Sequence, residues 1–428
     1  MIRKLSIALM GLVSFGIYGQ NGTVSPYSYF GLGDIRTTGT VENQMMGDIG
    51  VYADSIHVNL KNPAAYAELG VPFGDDFGTT VYTAGVSRQQ YRLRTALEED
   101  NSSVTNLDYL SLAFSLGRGL GMGFGLMPYT AVGYDLTAEG VSGEQSVINL
   151  YSGEGGLNRV YYTLGYEVVK NLSVGATVNF NFGTLSNQRL QQIEDVQFGT
   201  FDRRSSRING FDFNYALMYA PTFKNKHTLR ASVRVNTQGN LVSKNERTIG
   251  SFFIATGNNI EEVEVDLEAQ NLRNTEFKVP TATTVGIGYG RDRSWFLGAE
   301  YTMQGLSAFE NPFLGVENAT YEDASSYALG GFFIPDAGSF SSYLKRITYR
   351  AGLRLDRTGM VVNNESISNF GITFGVGLPL PRSYSNLNIG VELGRRGTTK
   401  ADLVEESYLK INVGLSLNDN WFRKRKID

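Results

Sequence analysis

Alternation of apolar and polar residues with a period of two dominates the chain after about residue 78. In 172–183, the apolar positions are Leu172, Val174, Ala176, Val178, Phe180 and Phe182, and the intervening positions are polar or glycine. The segments 347–356 and 409–418 repeat this pattern. Runs of this length, apolar on one face only, are typical of transmembrane barrel strands of ~10 residues. A soluble sandwich has the same period, but its strands usually span only ~5–6 residues.

Counting such runs predicts an all-β fold, a transmembrane β-barrel of about fourteen antiparallel strands, an even number as single-chain barrels have. The strands are expected near 79–94, 107–118, 121–136, 157–170, 172–188, 205–220, 227–242, 276–290, 294–306, 325–335, 345–357, 367–380, 386–397 and 406–418. Connections alternate between short and long, with 336–344 as the exception. Short periplasmic turns and long external loops are the rule in such barrels, so both termini are expected in the periplasm.

Residues 20–77 show neither a strand period nor a clean helix period. The segment is rich in Gly, Asp, Asn and Pro and is longer than connections in compact domains usually are. Pro63 disfavours helical geometry at Asn62 and suits the first position of a short helical turn through Ala64. We therefore predict that 20–77 is an N-terminal plug and that 78–422 is the barrel that holds it.

The two ends of the chain predict export to a membrane. Arg3 and Lys4 precede an apolar run over 5–17, so residues 1–19 are predicted to be a signal peptide cleaved near Gly19. A membrane anchor is the alternative, but the run is shorter than the ~20 residues that a spanning helix needs. The basic tail 423–428 either touches lipid head groups or is solvated. No other segment suits a spanning helix, so we expect an integral protein of the Gram-negative outer membrane, in contact with its lipids, that crosses as a closed barrel.

Charged residues fall on the inward face of the predicted strands. By parity this face carries Arg230, Arg234, Arg350, Arg354, Glu392 and Lys410. Buried charges persist when they are paired or hydrogen-bonded, so we predict networks that tie the plug to the wall; a hydrated lumen is the alternative. Inward glycines such as Gly175 and Gly352 either leave room for the plug or a ligand, or relieve crowding in a curved barrel.

Composition removes several classes of function. The chain of 428 residues has 38 Lys+Arg and 42 Asp+Glu, a net charge of -4, which gives no reason to expect nucleic-acid binding. It has no cysteine and two histidines, His57 and His227, neither with a catalytic partner at a telling spacing. We therefore expect no enzyme activity, no metal site and no cofactor. Abundant Tyr (24), Phe (25) and Gly (50) suit a barrel with aromatic girdles.

Three features carry a resemblance to a known family. Ala53-Asp54-Ser55 precedes Asn62-Pro63-Ala64, a Pro-led strand rich in Gly and Tyr spans 279–289, and a hairpin with Trp295 and Glu300-Tyr301 follows. Together with the strand count, they resemble the FadL-like outer-membrane transporters, in particular the divergent branch found in Bacteroidota. The resemblance implies an N-terminal hatch that includes Asp54, Asn62, Pro63 and Ala64.

The family's usual activity is passive uptake of hydrophobic small molecules, such as fatty acids and hydrocarbons, captured by external loops and released through the wall. By position, the capturing loops are expected at 189–204 and 243–275. Phe252, Phe253 and Ile254 are then either an external hydrophobic ligand patch or a small loop core. The charged lumen and the acidic run 261–268 fit fatty chains poorly. The resemblance therefore also allows a non-transporting subunit of an outer-membrane secretion or barrel-assembly complex, with other membrane proteins as partners.

Overall fold

The computed structural model describes residues 22–70, 79–117, 119–314, 318–381 and 383–421. The predicted signal peptide and the basic tail 423–428 lie outside the described residues. Within them, no helix is both long and apolar enough to cross a bilayer.

Fourteen antiparallel strands form one closed sheet, which confirms the predicted fold class. The strands are β1 (Thr79–Arg94), β2 (Glu99–Gly117), β3 (Leu120–Ser142), β4 (Gln145–Val169), β5 (Leu172–Ile193), β6 (Phe198–Tyr219), β7 (Thr228–Asn236 and Gly239–Phe253), β8 (Asn274–Val279 and Ala282–Arg291), β9 (Trp295–Gln304), β10 (Ala324–Phe333), β11 (Thr348–Val362), β12 (Glu365–Pro379), β13 (Asn386–Arg396) and β14 (Glu405–Asn420). The sheet closes where β14 pairs with β1, from Glu405 opposite Arg94 to Asn420 opposite Thr79.

The predicted seventh and eighth strands are each divided. β7 is interrupted at 237–238, and β8 at Pro280 and Thr281. Pro280 has no N–H to donate to a ladder, which accounts for a break at that point of β8. Among the described residues, three short strands lie outside the fourteen strands of the barrel. Asn259–Glu264 forms a hairpin with the end of β7, Ala319–Tyr321 pairs with β11, and Asp34–Ile35 pairs with β3.

The apolar face of the strands points outward. Val174 and Val178 on β5 are 38% and 40% exposed, whereas their neighbour Asn179 is 5% exposed. On β6, Phe211 and Leu217 are likewise exposed, at 53% and 46%. A soluble sandwich buries its apolar face, so this arrangement has the polarity of a barrel that lies in lipid.

The strands differ greatly in length, and the sequence-based ends were too short for β2 to β7. β3 to β6 have 22 to 25 residues, whereas β9 and β10 have 10 each. Since a bilayer crossing needs ~9–11 residues, β3 to β7 extend beyond the apolar band on one side. We call this side the tall end and the opposite side the short-turn end. The expected loop 189–204 is therefore mostly strand, and the acidic run of 243–275 is partly in the strand pair Asn259–Glu264.

Residues 22–70 lie inside the barrel and contain three short helices: Pro26–Tyr29, Val41–Gln44 and Pro63–Glu68. The predicted turn at Pro63 is confirmed. Apolar side chains of this N-terminal segment share buried clusters with the wall, for example Met46, Ile49 and Val51 with Phe296 and Phe332. One part of the core is thus the interface between the segment and the inner face of the barrel. The largest buried cluster lies at the tall end, where inward side chains of β3 to β8 such as Leu157, Leu185 and Ile208 pack with Phe309 and Phe313 of the connection after β9.

Candidate functional site

The turn at Asn62-Pro63-Ala64 lies against the wall at the short-turn end. Asn62 has extended backbone geometry, and its Oδ1 accepts a hydrogen bond of 3.1 Å from the amide of Ala64, which caps the helix Pro63–Glu68. A Cβ at Gly165 of β4 would overlap the carbonyl oxygen of Pro63, and one at Gly175 of β5 would overlap the amide of Ala64. Glycine at these two positions therefore permits the backbone of the turn to touch the backbone of the wall.

Asp54 orders the stretch that precedes this turn. Its Oδ1 accepts hydrogen bonds from the amides of Ile56 (3.0 Å) and His57 (2.8 Å), and its Oδ2 lies 2.7 Å from Nδ1 of His57. Burial alone would raise the pKa of Asp54, but the charge of His57 and these hydrogen bonds hold it below its ordinary value. Burial alone would lower the pKa of His57, but the carboxylates of Asp54 and Glu42 raise it above its ordinary value. The pair is therefore most strongly bound as an imidazolium and a carboxylate.

Glu42 connects this pair to the wall. Its Oε1 lies 3.8 Å from Nε2 of His57 and accepts a hydrogen bond of 2.6 Å from Nδ2 of Asn388 on β13. Asn388 in turn accepts a hydrogen bond of 2.9 Å from Arg350 on β11. Arg350, one of the predicted lumen charges, thus reaches the N-terminal segment through Asn388.

Two further predicted arginines contact the segment on the opposite wall. Arg230 on β7 forms an ion pair of 2.7 Å with Glu68. Arg234, also on β7, forms an ion pair of 2.5 Å with Glu300 on β9, and Glu300 accepts a hydrogen bond of 2.9 Å from the amide of Gly50. Both arginines are 5% exposed or less. Each buried positive charge therefore has a carboxylate partner, as burial requires.

The remaining predicted charges lie on β11, β13 and β14. Arg354 lies 3.1 Å from Glu392 and 2.9 Å from Asp356, and 4.0 Å from Asp48 of the segment. Lys410 donates a hydrogen bond of 3.0 Å to Gln44 of the segment. The structure thus places all six predicted lumen charges in hydrogen bonds or ion pairs. Each of them reaches the segment directly or through one residue, Glu392 through Arg354.

The partners of these charges on the segment, Glu42, Asp48 and Glu68, were not predicted from the sequence. A signal for them exists in the chain. The inward face of the strands is mainly basic, whereas residues 40–70 carry Glu42, Asp48, Asp54 and Glu68 against Lys61 and His57. Opposite charge on two surfaces that must meet predicts ion pairs between them.

The segment touches every strand of the barrel. The wall residues in contact with it are, from β1 to β14, Val81, Tyr109, Gly123, Gly165, Gly175, Met218, Arg230, Gly286, Phe296, Gly330, Gly352, Gly375, Gly390 and Gly414. Residues 41–52 follow the wall from β14 round to β8, and residues 62–70 follow it from β6 to β2. Glycines on the inner face therefore mark contact with the segment on most strands, and the predicted Gly175 and Gly352 are among them. Two other glycines of the strands, Gly288 and Gly377, face wall side chains instead.

The wall itself is incomplete between β2 and β3. Pairing of these strands stops at Leu110 opposite Leu126. Beyond that point Asp34 and Ile35 of the N-terminal segment add to β3, opposite Ala131 and Thr130. The gap in the ladder is therefore partly filled by a strand from the segment.

Phe252, Phe253 and Ile254 lie at the tall end of β7, far along the chain from the lumen charges and not joined to them. Phe252 is 6% exposed because its ring packs over Gly199, so it is buried and not part of an open patch. Phe253 and Ile254 are half-buried, and the ring of Phe253 lies 5.8 Å from that of Phe198. Their role in ligand capture stays a prediction.

Two cavities remain between the segment and the wall. One of about 250 Å³ is lined by polar side chains that include Arg159, Asn181 and Asp212. The other, of about 390 Å³, is lined by Phe30, Leu306, Phe309, Tyr321 and Met360, together with Arg354 and Asp356. Among the described residues, no group of three or more His, Cys, Asp or Glu side chains is placed to hold a metal ion.

Solved structures with the same fold are outer-membrane channels. The toluene transporter TbuX of Ralstonia pickettii superposes with a TM-score of 0.57 at 15% identity, over 89% of this chain and 99% of that one. The toluene transporter TodX of Pseudomonas putida gives a TM-score of 0.58 at 14% identity, over 91% and 100%. A FadL homologue of Pseudomonas aeruginosa gives 0.53 at 11% identity, over 91% and 100%. At these identities the likeness establishes the FadL-like outer-membrane barrel fold and no activity.

No curated protein matches the sequence. A family model does, and it covers the chain from residue 1 to residue 428. This chain, a plugged barrel with a FadL-like fold, belongs to the BamG family.

Proposed function

We propose that this protein is a non-transporting, FadL-like subunit of an outer-membrane barrel-assembly complex. The family match over the whole chain supports this role, because the name BamG refers to barrel assembly. We also propose that the short-turn end faces the periplasm and the tall end the exterior, as short turns and long external extensions do in such barrels.

The observation that carries the proposal is the attachment of the N-terminal segment to the whole circumference of the wall. Arg230, Arg234 and Lys410 are all buried. Arg230 and Lys410 contact Glu68 and Gln44 of the segment, and Arg234 pairs with Glu300, which also accepts a hydrogen bond from the segment. If the segment moved away from these positions, the positive side chains would lose hydrogen-bond or ion-pair partners inside the lumen, which is costly for buried charges. Such a segment suits a permanent structural element better than a gate.

Co-purification and transport together test this role. A tagged full-length chain extracted in mild detergent from its native outer membrane should sediment with other outer-membrane proteins, and its depletion should lower the amounts of other assembled barrels. Liposomes that contain the purified chain should take up toluene and a long-chain fatty acid no faster than empty liposomes. A protein that sediments alone, and whose depletion leaves other barrels unchanged, would refute the assembly role.

Passive uptake of a hydrophobic small molecule is the second candidate function. It is favoured by the cavity of about 390 Å³, whose lining includes Phe30, Phe309 and Met360. Pockets for such ligands are mainly apolar with a few polar groups. This cavity has such a lining on the side of Phe30, Phe309 and Met360, but Arg354 and Asp356 also line it. Faster uptake by wild-type liposomes, abolished by Phe309→Arg, would favour this candidate over the first.

A further inference from the structure

The tall end of the barrel has a notch between two strand edges. One edge is the part of β2 from Glu99 to Tyr109, and the other is the part of β3 from Gly133 to Ser142. β2 pairs with β1 on its far side and β3 pairs with β4 on its far side. In the described part of the chain, no strand pairs with the facing edges of these two stretches.

Backbone hydrogen bonds show which main-chain groups point into the notch. The amide of Arg36 donates to the carbonyl of Tyr129 at 3.0 Å, and the amide of Gly133 donates to Oγ of Ser28 at 3.1 Å. From Tyr129 onward, odd-numbered residues of β3 therefore direct their N–H and C=O groups to this edge. Since these directions alternate along a strand, Asp135, Thr137 and Glu139 present unpaired main-chain groups to the notch.

The lower part of the same edge already holds an added strand. Asp34 and Ile35 pair with Ala131 and Thr130 in antiparallel register. The edge is thus built to accept a further strand, and the N-terminal segment uses only its beginning. The free length from Gly133 to Ser142 corresponds to roughly 30 Å at ~3.3 Å per residue.

The chemistry of the notch is acidic. It encloses a cavity of about 420 Å³ lined by Asp100 and Ser102 from β2, Asp135 from β3 and Glu154 from β4, with Val24 beside them. Asp100, Asp135 and Glu154 are exposed and, within the described residues, take part in no ion pair. Three unpaired carboxylates around one groove attract a basic segment and repel an acidic one.

Two aliphatic side chains stand at the rim. Leu97, at the turn from β1 to β2, is 94% exposed, and Val141, near the turn from β3 to β4, is 77% exposed. Open edges of this length invite unwanted pairing, and proteins prevent it with charged side chains, especially Lys, with Pro, or by covering the edge. The charges on these two edges are carboxylates, which repel an acidic strand but not a basic one. Neither 99–109 nor 133–142 contains Lys or Pro. An edge left open in this way fits a surface that a partner covers.

We propose that this notch binds an extended segment of another protein, which carries Lys or Arg side chains and adds as a strand to the free edge of β3. Main-chain hydrogen bonds to Asp135, Thr137 and Glu139 hold the segment in register. Its basic side chains meet Asp100, Asp135 and Glu154. This inference rests on the proposed role in a complex and identifies the contact through which one partner is held.

The test combines crosslinking with a matched pair of backbone variants. A photoreactive phenylalanine analogue replaces Ser102 in the full-length chain in native membranes, and the crosslinked peptide is identified by mass spectrometry. Thr137→Pro removes one edge N–H without touching the β3–β4 ladder, whereas Thr137→Ala keeps it. We expect a crosslink to a Lys- or Arg-containing stretch of a different protein. The crosslink yield should fall about tenfold or more in Thr137→Pro, because the lost ladder hydrogen bond and the steric clash of the proline ring together exceed ~1.4 kcal/mol.

Charge provides a second comparison that does not alter the backbone. The triple variant Asp100→Asn, Asp135→Asn and Glu154→Gln should reduce the crosslink about tenfold. The matched triple variant Glu261→Gln, Glu262→Gln and Glu268→Gln removes the same charge from exposed positions elsewhere at the tall end and should leave the yield within about twofold. Heat-dependent mobility on gels checks that each variant barrel is folded.

Several outcomes would overturn the proposal. They are a crosslink to the chain's own N-terminus, to a second copy or to lipopolysaccharide, equal yields in the two Thr137 variants, or equal yields in the two triple variants. Sedimentation of the wild type separates these failures from that of the proposed function. A wild type that sediments with partners while the notch crosslinks to itself refutes only the notch, whereas a wild type that sediments alone refutes the role in a complex.

Discussion

Replacing Glu300 with alanine tests the attachment of the N-terminal segment to the wall. Glu300 on β9 is 7% exposed and serves two groups at once. Its Oε2 pairs with Arg234 at 2.5 Å, and its Oε1 accepts the amide of Gly50 at 2.9 Å. The Glu300→Ala variant therefore leaves a guanidinium and an amide without partners inside the barrel.

The expected cost follows from burial. Arg234 is 5% exposed, and a buried charge stripped of its partner typically costs ~3–5 kcal/mol of unfolding free energy. The unpaired amide of Gly50 belongs to the same network, so its ~1–3 kcal/mol overlaps with that figure and is not simply added to it. We expect Glu300→Ala to lower the unfolding free energy by ~3–5 kcal/mol in total.

Two controls separate lost pairing from general damage. The double variant Arg234→Met with Glu300→Leu removes both charges and should cost less than Glu300→Ala, because no charge is stranded. Glu99→Ala breaks the pair of Glu99 with Arg92, whose side chains are 37% and 62% exposed, and should leave the unfolding midpoint unchanged.

The assay is guanidinium unfolding of the detergent-folded protein, followed by tryptophan fluorescence, with hydrogen exchange of residues 49–52 measured in parallel. Faster exchange in that stretch, with unchanged exchange in β5 and β6, is the expected result for Glu300→Ala. If Glu300→Ala and Glu99→Ala gave the same midpoint and the same exchange, the lumen charges would not hold the segment.

Three other predictions address the wall contacts, the pH response and the membrane face. Gly352→Val would drive a side chain into the amide of Gly47 and should make the segment protease-sensitive, whereas Gly140→Ala, with no atom within 4 Å of its added Cβ, should not. The raised pKa of His57 stabilises docking fully below its ordinary value of 6.5, and the lowered pKa of Asp54 stabilises docking fully above its ordinary value of 3.8. Protection of the segment from protease should therefore fall as the pH rises through the raised pKa of His57, and also as the pH drops through the lowered pKa of Asp54. The loss of protection at high pH should be absent in His57→Gln. Val178→Lys on the lipid face should cost ~2–4 kcal/mol of barrel stability near the midplane, measured by refolding into vesicles. If Val178→Lys cost no more than a Lys introduced on the exposed tall end, the membrane orientation would be wrong.

The period-two pattern was sufficient to predict the strands that cross the apolar band. It identified the outward Val178 and the inward Asn179 because lipid imposes a strict alternation at these depths. Beyond the band no lipid imposes the alternation, and buried positions there include polar residues such as Ser206 and Asn245 as well as Phe201, so the pattern fades. The 145–156 part of β4 is strand in the structure but was predicted as a loop, because its apolar residues Val147, Ile148, Leu150 and Tyr151 fall on both faces and show no period of two.

The partners of the lumen charges are a different matter. Parity placed Arg230 and Arg354 inside the barrel, but Glu68 and Asp48 are far from them in the sequence. Local patterns carry no information on which of many residues a buried charge meets. The notch could not be predicted from the sequence for a related reason. It depends on the bulge at Tyr129, which sets the register of β3 against β4. This register determines which main-chain groups face the free edge.

The path of the N-terminal segment bears on whether it opens. Residues 41–52 contact the strands in order from β14 to β8, and residues 62–70 contact them from β6 to β2. A segment that circles the wall has no single face to release. Because a ligand that binds one arc alters only the contacts of that arc, we expect the segment to stay in place and not to swing aside as one lid. An apolar molecule that crossed the barrel with the segment in place would pass the cavity lined by Arg159, Asn181 and Asp212. It would displace water from these charged and amide side chains, which is unfavourable. Both considerations favour a barrel that is held closed and used as a scaffold.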